Sequence, residues 1–285
     1  MKGIILAGGA GTRLHPATIA FSKQLIPVYD KPMVYYPLST LLSIGIREIL
    51  IIVTSRDMSM FKSLLGDGSH LGCKFSYKIV DIPVGIPIAF IVGEKFIGRG
   101  SVAMVLGDNL FYGTYLDKQL EKYTNVNGAM GFATYVEDPK RYGVYEFDKN
   151  MNVVSIEEKP EHPKSNYANS GLYFFDNDVV EISKGIKPSA RGELEITSVL
   201  NVYLQKKKLK VCLLKKGTYW LDMGTYDSIK KASDYIRKVE KKREYKIGCI
   251  EEVSYRKGYI NKEQLRKLAE KLIKSEYGKY LVNLI

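Results

Sequence analysis

The chain is expected to fold as an α/β protein, with a mixed, mostly parallel sheet flanked by helices and a helical appendage at its C-terminal end. Three patterns predict this. Short β-branched apolar runs alternate with helix-length segments over the first hundred residues, strand-like runs crowd the stretch after Gly128, and a basic helical pattern follows Ser228. Taken in order, Lys2 to Leu6 reads as a short buried strand, Met33 to Ser43 as a helix, Ile49 to Val53 as a strand and Met58 to Leu65 as a helix. Phe75 to Ile79 and Ala103 to Leu106 are the next strands. This rhythm argues for right-handed βαβ units in a Rossmann-like sheet. Gly143 to Phe147, Val153 to Glu157, Gly171 to Phe175 and Val211 to Leu214 should extend the same sheet. The one boundary falls near Ser228, giving a body of residues 1–227 and an appendage of residues 228–285.

Composition removes several classes. The chain has 285 residues, 45% of them hydrophobic, enough for a sizeable core. Arg47 and Glu48 interrupt the apolar stretch Leu41 to Val53, and Ile82 to Gly93 is short and carries two prolines, so no membrane span or secretory signal is expected. Cys73, Cys212 and Cys249 lie far apart, as do His15, His70 and His162. Reduced thiols in a cytoplasmic protein fit better than a disulfide framework or a zinc site. The net charge of +12 is largely a property of the tail, where 16 Lys/Arg face 8 Asp/Glu over residues 228–285. Leu265, Leu268, Ala269, Leu272 and Ile273 recur there at helical spacing, which puts the lysines on a solvated face and argues against a nucleic-acid surface.

The most informative stretch is Leu6-Ala-Gly-Gly-Ala-Gly-Thr-Arg-Leu-His-Pro, followed by Ser22-Lys23-Gln24-Leu25. Gly8, Gly9 and Gly11 let backbone N–H groups approach phosphate oxygens, and Arg13 and Lys23 can neutralise the remaining charge. No Gly-Lys-Ser/Thr ends the loop, so it is not a P-loop. Leu14 occupies the third glycine position of a dinucleotide fingerprint, and Pro27-Val28-Tyr29 stands where its acidic ribose residue is usual. A structural glycine turn with a surface arginine is the plainer alternative.

With Lys23-Gln-Leu-Ile-Pro-Val-Tyr-Asp-Lys-Pro-Met33, this segment resembles the signature of the sugar-1-phosphate nucleotidyltransferases, most closely the glucose-1-phosphate thymidylyltransferases. The likeness continues in order through Leu106-Gly-Asp-Asn109, Asp138-Pro-Lys-Arg-Tyr-Gly-Val144, Glu157-Glu-Lys-Pro160 and Pro163-Lys-Ser-Asn-Tyr-Ala168. Pro188-Ser-Ala-Arg-Gly-Glu-Leu-Glu-Ile-Thr197 and Trp220-Leu-Asp-Met-Gly-Thr225 complete it. The resemblance implies a fold of the nucleotide-diphospho-sugar transferase type. It also implies attack of a hexose 1-phosphate on the α-phosphorus of a nucleoside triphosphate, giving dTDP-glucose and pyrophosphate, as at the entry to rhamnose and polysaccharide synthesis.

The nucleophile of such a reaction is already an anion, so no catalytic serine, cysteine or histidine is needed. Alignment and charge neutralisation suffice. By resemblance, Arg13, Lys23, Asp108 and Asp222 are catalytic, and Asp108 and Asp222 hold Mg²⁺. The same likeness assigns the nucleotide to Leu6, Gly8, Gly9, Gly11, Thr12, Gln24, Val80 and Gly85, and the sugar phosphate to Asn109, Tyr142, Gly143, Glu158, Lys159, Asn169 and Trp220. Taken alone, either aspartate would suit a turn or a helix cap, and Glu158-Lys159 a solvated strand end. The resemblance further implies a homo-oligomer, a tetramer, whose tail contributes subunit contacts and a regulatory product site.

The chain departs from the family at Val80, where thymidylyltransferases usually carry a base-reading glutamine, with Val84 and Ile88 replacing further polar residues. Asn169-Ser170 stands where Val-Thr is usual, and Met223 and Tyr226 replace Thr and His. Base choice and hexose choice are therefore open. The alternatives are a nucleotidyltransferase with altered base or sugar specificity, and a catalytically weak sugar-nucleotide-binding regulatory protein.

Overall fold

The computed structural model describes residues 1–9, 11–82, 84–243 and 245–285. Ala10 of the glycine loop, Pro83 of the segment Val80 to Phe90, and Glu244 lie outside the described residues.

Among the described residues, nine strands form one mixed sheet. Lys2–Leu6 sits near its middle, paired in parallel with Glu48–Val53 on one side and Val102–Leu106 on the other, and Lys74–Ile79 extends the parallel part. The nine-residue strand Tyr167–Phe175 joins the halves. It runs antiparallel to Val102–Leu106 and then to both Ala129–Tyr135 and Gly143–Phe147, which carry Leu209–Leu213 and Val153–Glu158 respectively. The half after Gly128 thus builds onto the same sheet, by antiparallel pairing.

Strand alternation explains why both faces are covered. Ile5, Ile49, Ile51, Val53 and Val105 pack on one face against Leu38, Leu41, Leu42 and Phe61. Ile4, Leu50, Ile52, Val102 and Met104 pack on the other against Phe90, Phe175 and Val199. A run apolar at every position, rather than at every second one, requires this burial on both sides. The helix Met58–Leu65 shows the local logic: Phe61 and Leu65, four apart, are its buried residues, and Gly66 ends it with φ +58°.

The parallel strands end in a row. Ala7 N–H donates to Ile52 O at 2.8 Å, Val80 N–H to Val53 O at 2.9 Å and Gly107 N–H to Leu6 O at 2.9 Å. The loops that leave these ends therefore share one rim, the usual ligand position of such sheets.

The appendage docks through the helix Tyr226–Arg243, which runs through position 228. Its Ile229, Ala232 and Ile236 join Leu14, Val28, Met33, Leu110 and Met223 in a third core cluster. Every lysine and arginine of residues 228–285 except Lys246 is exposed, in keeping with a solvated basic face. The expected apolar stripe is shorter than its sequence spacing. Leu265 and Ala269 are buried, but the helix Lys262–Lys271 ends before Leu272 and Ile273, which are 40% and 45% exposed. Once the chain leaves the helix, an i+7 and i+8 spacing no longer points to one face.

Candidate active site

Arg13, Lys23, Asp108 and Asp222 meet at the rim of the central strands, each for a local reason. Gly11, with φ +63°, turns the chain into the short helical turn Thr12–Leu14 that carries Arg13. Ser22 caps a second turn, Lys23–Leu25. Asp108 stands two residues past the buried strand Val102–Leu106. Asp222 is brought beside it by a two-stranded ribbon, Tyr219–Asp222 against Asn109–Tyr112, in which Asp222 pairs with Asn109 and Met223 N–H donates to Asp108 O at 2.9 Å.

The charges are interlocked. The Lys23 ammonium pairs directly with Asp108 Oδ2, and Asn109 Nδ2 donates to Asp108 Oδ1 at 2.9 Å. Arg141 Nη2 lies 3.7 Å from Asp222 Oδ2. A Cβ at Gly224 would stand 2.9 Å from Arg13 Nη2 and 3.1 Å from Asp222 Oδ1, so glycine there leaves room for the guanidinium. Burial pushes the Asp108 carboxyl up, but the charge and hydrogen bond of Lys23, aided by Arg13, outweigh it and hold the group below the ordinary carboxylate range. Asp222 is raised, by burial and then by the Asp108 charge, against the pull of Lys23, Arg13 and Arg141. Two neighbouring carboxylates displaced in opposite directions mark repulsion that the local cations relieve only in part. An oxygen-seeking divalent cation fits such a donor pair. Among the described residues no three His, Cys, Asp or Glu side chains gather to hold a metal unaided, so its remaining ligands would come from substrate and water.

These groups open into a cleft of about 590 Å³. One wall is Leu6, Gly8, Gly9, Gln24, Val80 and Gly85. Gly85 has φ +109°, and a Cβ there would fall 2.0 Å from Leu194 O. Only glycine permits this approach, which is fixed by Leu194 N–H donating to Val84 O at 2.7 Å. Val80 lines this wall as an aliphatic residue, beside Ile82, Ile86 and Ile88.

The residues assigned to the sugar phosphate line the same cleft. Glu158 ends the strand Val153–Glu158, opposite Gly143. The next residue, Lys159, has φ +44°, a conformation costing about 1 to 3 kcal/mol for a non-glycine residue. Its N–H donates to Tyr142 O at 3.0 Å, which holds it there. Burial, then the nearby Glu195, raise the Glu158 carboxyl against the attraction of Lys159 and Arg191. Trp220 Nε1 donates to Asn109 Oδ1, and its ring meets Tyr142 edge-on, centroids 5.0 Å apart. Asn169 is 7% exposed, and its Oδ1 is buried without a partner among the described residues.

Of the residues assigned from the sequence to catalysis, the nucleotide or the sugar phosphate, only Gly11 and Thr12 lie outside the lining. Gly11 serves the turn before Arg13, and its carbonyl accepts from Thr18 Oγ1 at 2.7 Å. The sequence reading gave no role to Arg141, Arg191, Glu193 or Glu195, which also line the cleft. Arg191 Nη2 lies 2.9 Å from Glu193 Oε2, 3.0 Å from Glu195 Oε1 and 3.9 Å from Glu158 Oε1. The run Arg-Gly-Glu-Leu-Glu was visible, but nothing local tells a cleft residue from a solvated charge cluster.

Comparison with known proteins places this geometry. The sequence model of the nucleotidyl transferase family matches residues 2–239. A glucose-1-phosphate thymidylyltransferase of Mycobacterium tuberculosis is 53% identical over 285 residues, covering 100% of this chain and 99% of the relative. One from Neisseria meningitidis is 50% identical over 286 residues, with the same coverage. Among solved structures, a Bacillus anthracis chain described as a candidate glucose-1-phosphate thymidylyltransferase, in complex with sucrose, superposes with a TM-score of 0.77. It is 39% identical, over 83% of this chain and 95% of that one. A UDP-glucose pyrophosphorylase complexed with UDP-glucose shares the fold, with a TM-score of 0.74 at 24% identity, over 84% of this chain and 98% of that one.

Proposed function

The chain belongs to the nucleotidyl transferase family, and from that premise we propose that it transfers the thymidylyl group of dTTP to glucose 1-phosphate, forming dTDP-glucose and pyrophosphate. The observation that carries this reading is the convergence of Arg13, Lys23, Asp108 and Asp222 at one point, between a glycine-lined wall and one bearing Glu158 and Lys159. A phosphate oxygen of the sugar phosphate attacks the α-phosphorus, the bond to the β-phosphate oxygen breaks, and pyrophosphate leaves with that electron pair. No proton need move.

The chain's task is alignment and electrostatics. The backbone at Gly8 and Gly9 lets the triphosphate approach closely. Arg13 and Lys23 oppose the charge that grows on the α-phosphate and the leaving group. Lys159 meets the sugar phosphate, and Glu158 accepts hydrogen bonds from sugar hydroxyls. Asp108 and Asp222 would hold Mg²⁺, which when bound neutralises phosphate charge. The same reading puts the enzyme in the cytoplasm as a homotetramer, at the entry to dTDP-rhamnose and polysaccharide synthesis. Free, scattered cysteines and the lack, among the described residues, of a helix long and apolar enough to cross a membrane are compatible with this.

A second reading, relaxed base choice, is favoured by Val80 alone. A matrix of pyrophosphate release separates the possibilities, with dTTP, UTP, CTP, GTP and ATP against several hexose 1-phosphates, with and without magnesium. The proposed function expects magnesium-dependent release, fastest with dTTP and glucose 1-phosphate. Sugar-nucleotide binding with no release from any pair would instead mark a binding protein.

A further inference from the structure

The segment that carries Arg13 and Lys23 has little regular structure of its own, yet it must present two cations at fixed places. It consists of three short helical turns, Thr12–Leu14, Ala17–Ile19 and Lys23–Leu25. What pins it comes from outside, from two residues that precede the helix Met58–Leu65 and lie apart from the cleft lining. Asp57 is wholly buried. Its Oδ1 accepts from Ser22 N–H at 3.0 Å and from Arg56 Nε at 3.0 Å, and its Oδ2 from Thr54 Oγ1 at 2.6 Å and Arg56 Nη2 at 2.9 Å.

Arg56, locked by this two-pronged pairing, turns its remaining nitrogen to the same segment. Nη1 donates to Ile19 O at 2.8 Å and to Thr18 O at 3.3 Å. The grip spreads from both ends. Ser22 Oγ lies 2.5 Å from Gln24 Oε1 and 3.3 Å from Ala7 O, tying the lysine turn to the end of the first strand. Thr18 Oγ1 holds Gly11 O, immediately before the arginine turn. A charged carboxylate sequestered from water with four donors is costly to build into a helix start that needs only a cap.

We propose that Asp57 is a positioning residue for nucleotidyl transfer: with Arg56 it clamps residues 18–22 and thereby fixes where Lys23, Gln24 and Arg13 meet the nucleotide phosphates. Neither clamp residue touches substrate. The proposal rests on the reading that these groups face the triphosphate. A misplacement of about 1 Å among aligned groups lowers turnover by about 100-fold, and does so without abolishing binding.

The test compares Asp57→Ala with Phe61→Leu, a core substitution in the helix that follows Asp57, which leaves the clamp intact. Asp57→Ala should lower kcat by about 100-fold while KM for both substrates moves less than about threefold, the signature of lost alignment. Amide hydrogen exchange at Ser22 to Leu25 should quicken in the same variant without substrate. Phe61→Leu should lower Tm comparably yet keep kcat within about threefold, because stability and alignment are separate. Asp57→Asn, which keeps one acceptor, should fall between parent and Asp57→Ala, and it carries the test if the alanine variant does not fold. A folded Asp57 variant with parental kcat and parental exchange, or a Phe61→Leu variant with the same loss of kcat, would overturn the clamp. A parent that released no pyrophosphate would overturn the proposed function instead, and the exchange measurement would still decide the clamp.

Discussion

Asp108 and Asp222 share one space but titrate in opposite directions because their cations are unequally placed: Lys23 lies against Asp108, whereas Asp222 has Arg141 at 3.7 Å. Asp108→Asn and Asp222→Asn should each abolish most turnover while leaving the fold intact, since each removes a carboxylate from the proposed metal position. Arg13→Ala should lower kcat more than it weakens nucleotide binding, because its contribution grows with transition-state charge. Steady-state kinetics beside nucleotide titration checks all three, and near-parental rates in any of them would remove the mechanism. Val80 makes a different prediction. An aliphatic side chain cannot satisfy a base edge, so discrimination between dTTP and CTP, whose edges differ in donors and acceptors, should be weak, and Val80→Gln should sharpen it by about tenfold for one restored hydrogen bond of about 1.4 kcal/mol. Strict selectivity for dTTP over CTP in the parent, unchanged by Val80→Gln, would mean that another group reads the base.

Among the elements, the last helices hold a buried polar knot outside the cleft. Tyr277, on the helix Glu276–Asn283, donates from its hydroxyl to Glu251 Oε2 at 2.5 Å. Burial raises the Glu251 carboxyl, and the Tyr277 hydrogen bond and more distant Lys31 do not cancel it. A carboxyl raised in the folded state contributes stability that is complete below its unfolded pKa, about 4.3, and is lost as pH rises through the higher folded value. Glu251→Gln keeps an acceptor for Tyr277 without the charge. Its Tm should match the parent near pH 4 and exceed it at pH 8, and thermal melts across that range check it. A gap that stays flat, or reverses at pH 8, would show Glu251 to be charged and well paired in the native state.

For the molecule as a whole, the appendage is tied to the body by apolar contact and by charge. Lys246 and Lys31 both bridge Asp30 and Glu240, and Ile250 reaches the main core beside the sheet. Because the helix Tyr226–Arg243 also packs on Leu14, next to Arg13, a cut at Ser228 would disturb both docking and chemistry. A chain ending at Arg243 separates the two. It should lose at least about 5 °C of Tm and change its mass in solution, while residual turnover at low temperature persists. Light scattering and thermal melts check this. Unchanged mass and stability would leave the last 42 residues without a docking role.

Much of the fold was legible because its signals are local. An unbroken, β-branched apolar run made Ile49 to Val53 a strand whatever its neighbours, and Met58 to Leu65 is a helix in the structure with the bounds that its sequence pattern predicts. The candidate site was legible where a residue type is tied to backbone geometry or to an ordered motif, as at Gly8, Gly85, Asp108 and Asp222. Other features depended on contacts between distant parts of the chain. Arg191 and Glu195 resemble any solvated charge pair until the Gly85–Leu194 approach draws their loop against the cleft. Asp57 carries no mark along the chain that sets it apart until Ser22 is placed against it. Leu272 and Ile273 keep a helical spacing that the end of their helix makes irrelevant. The sequence by itself determined which segments become strands, helices and glycine-turned loops, because those follow from φ preference and the periodicity of burial. Only the tertiary structure decided which charges face one another, because burial and pairing are properties of distance in space, which spacing along a chain does not measure.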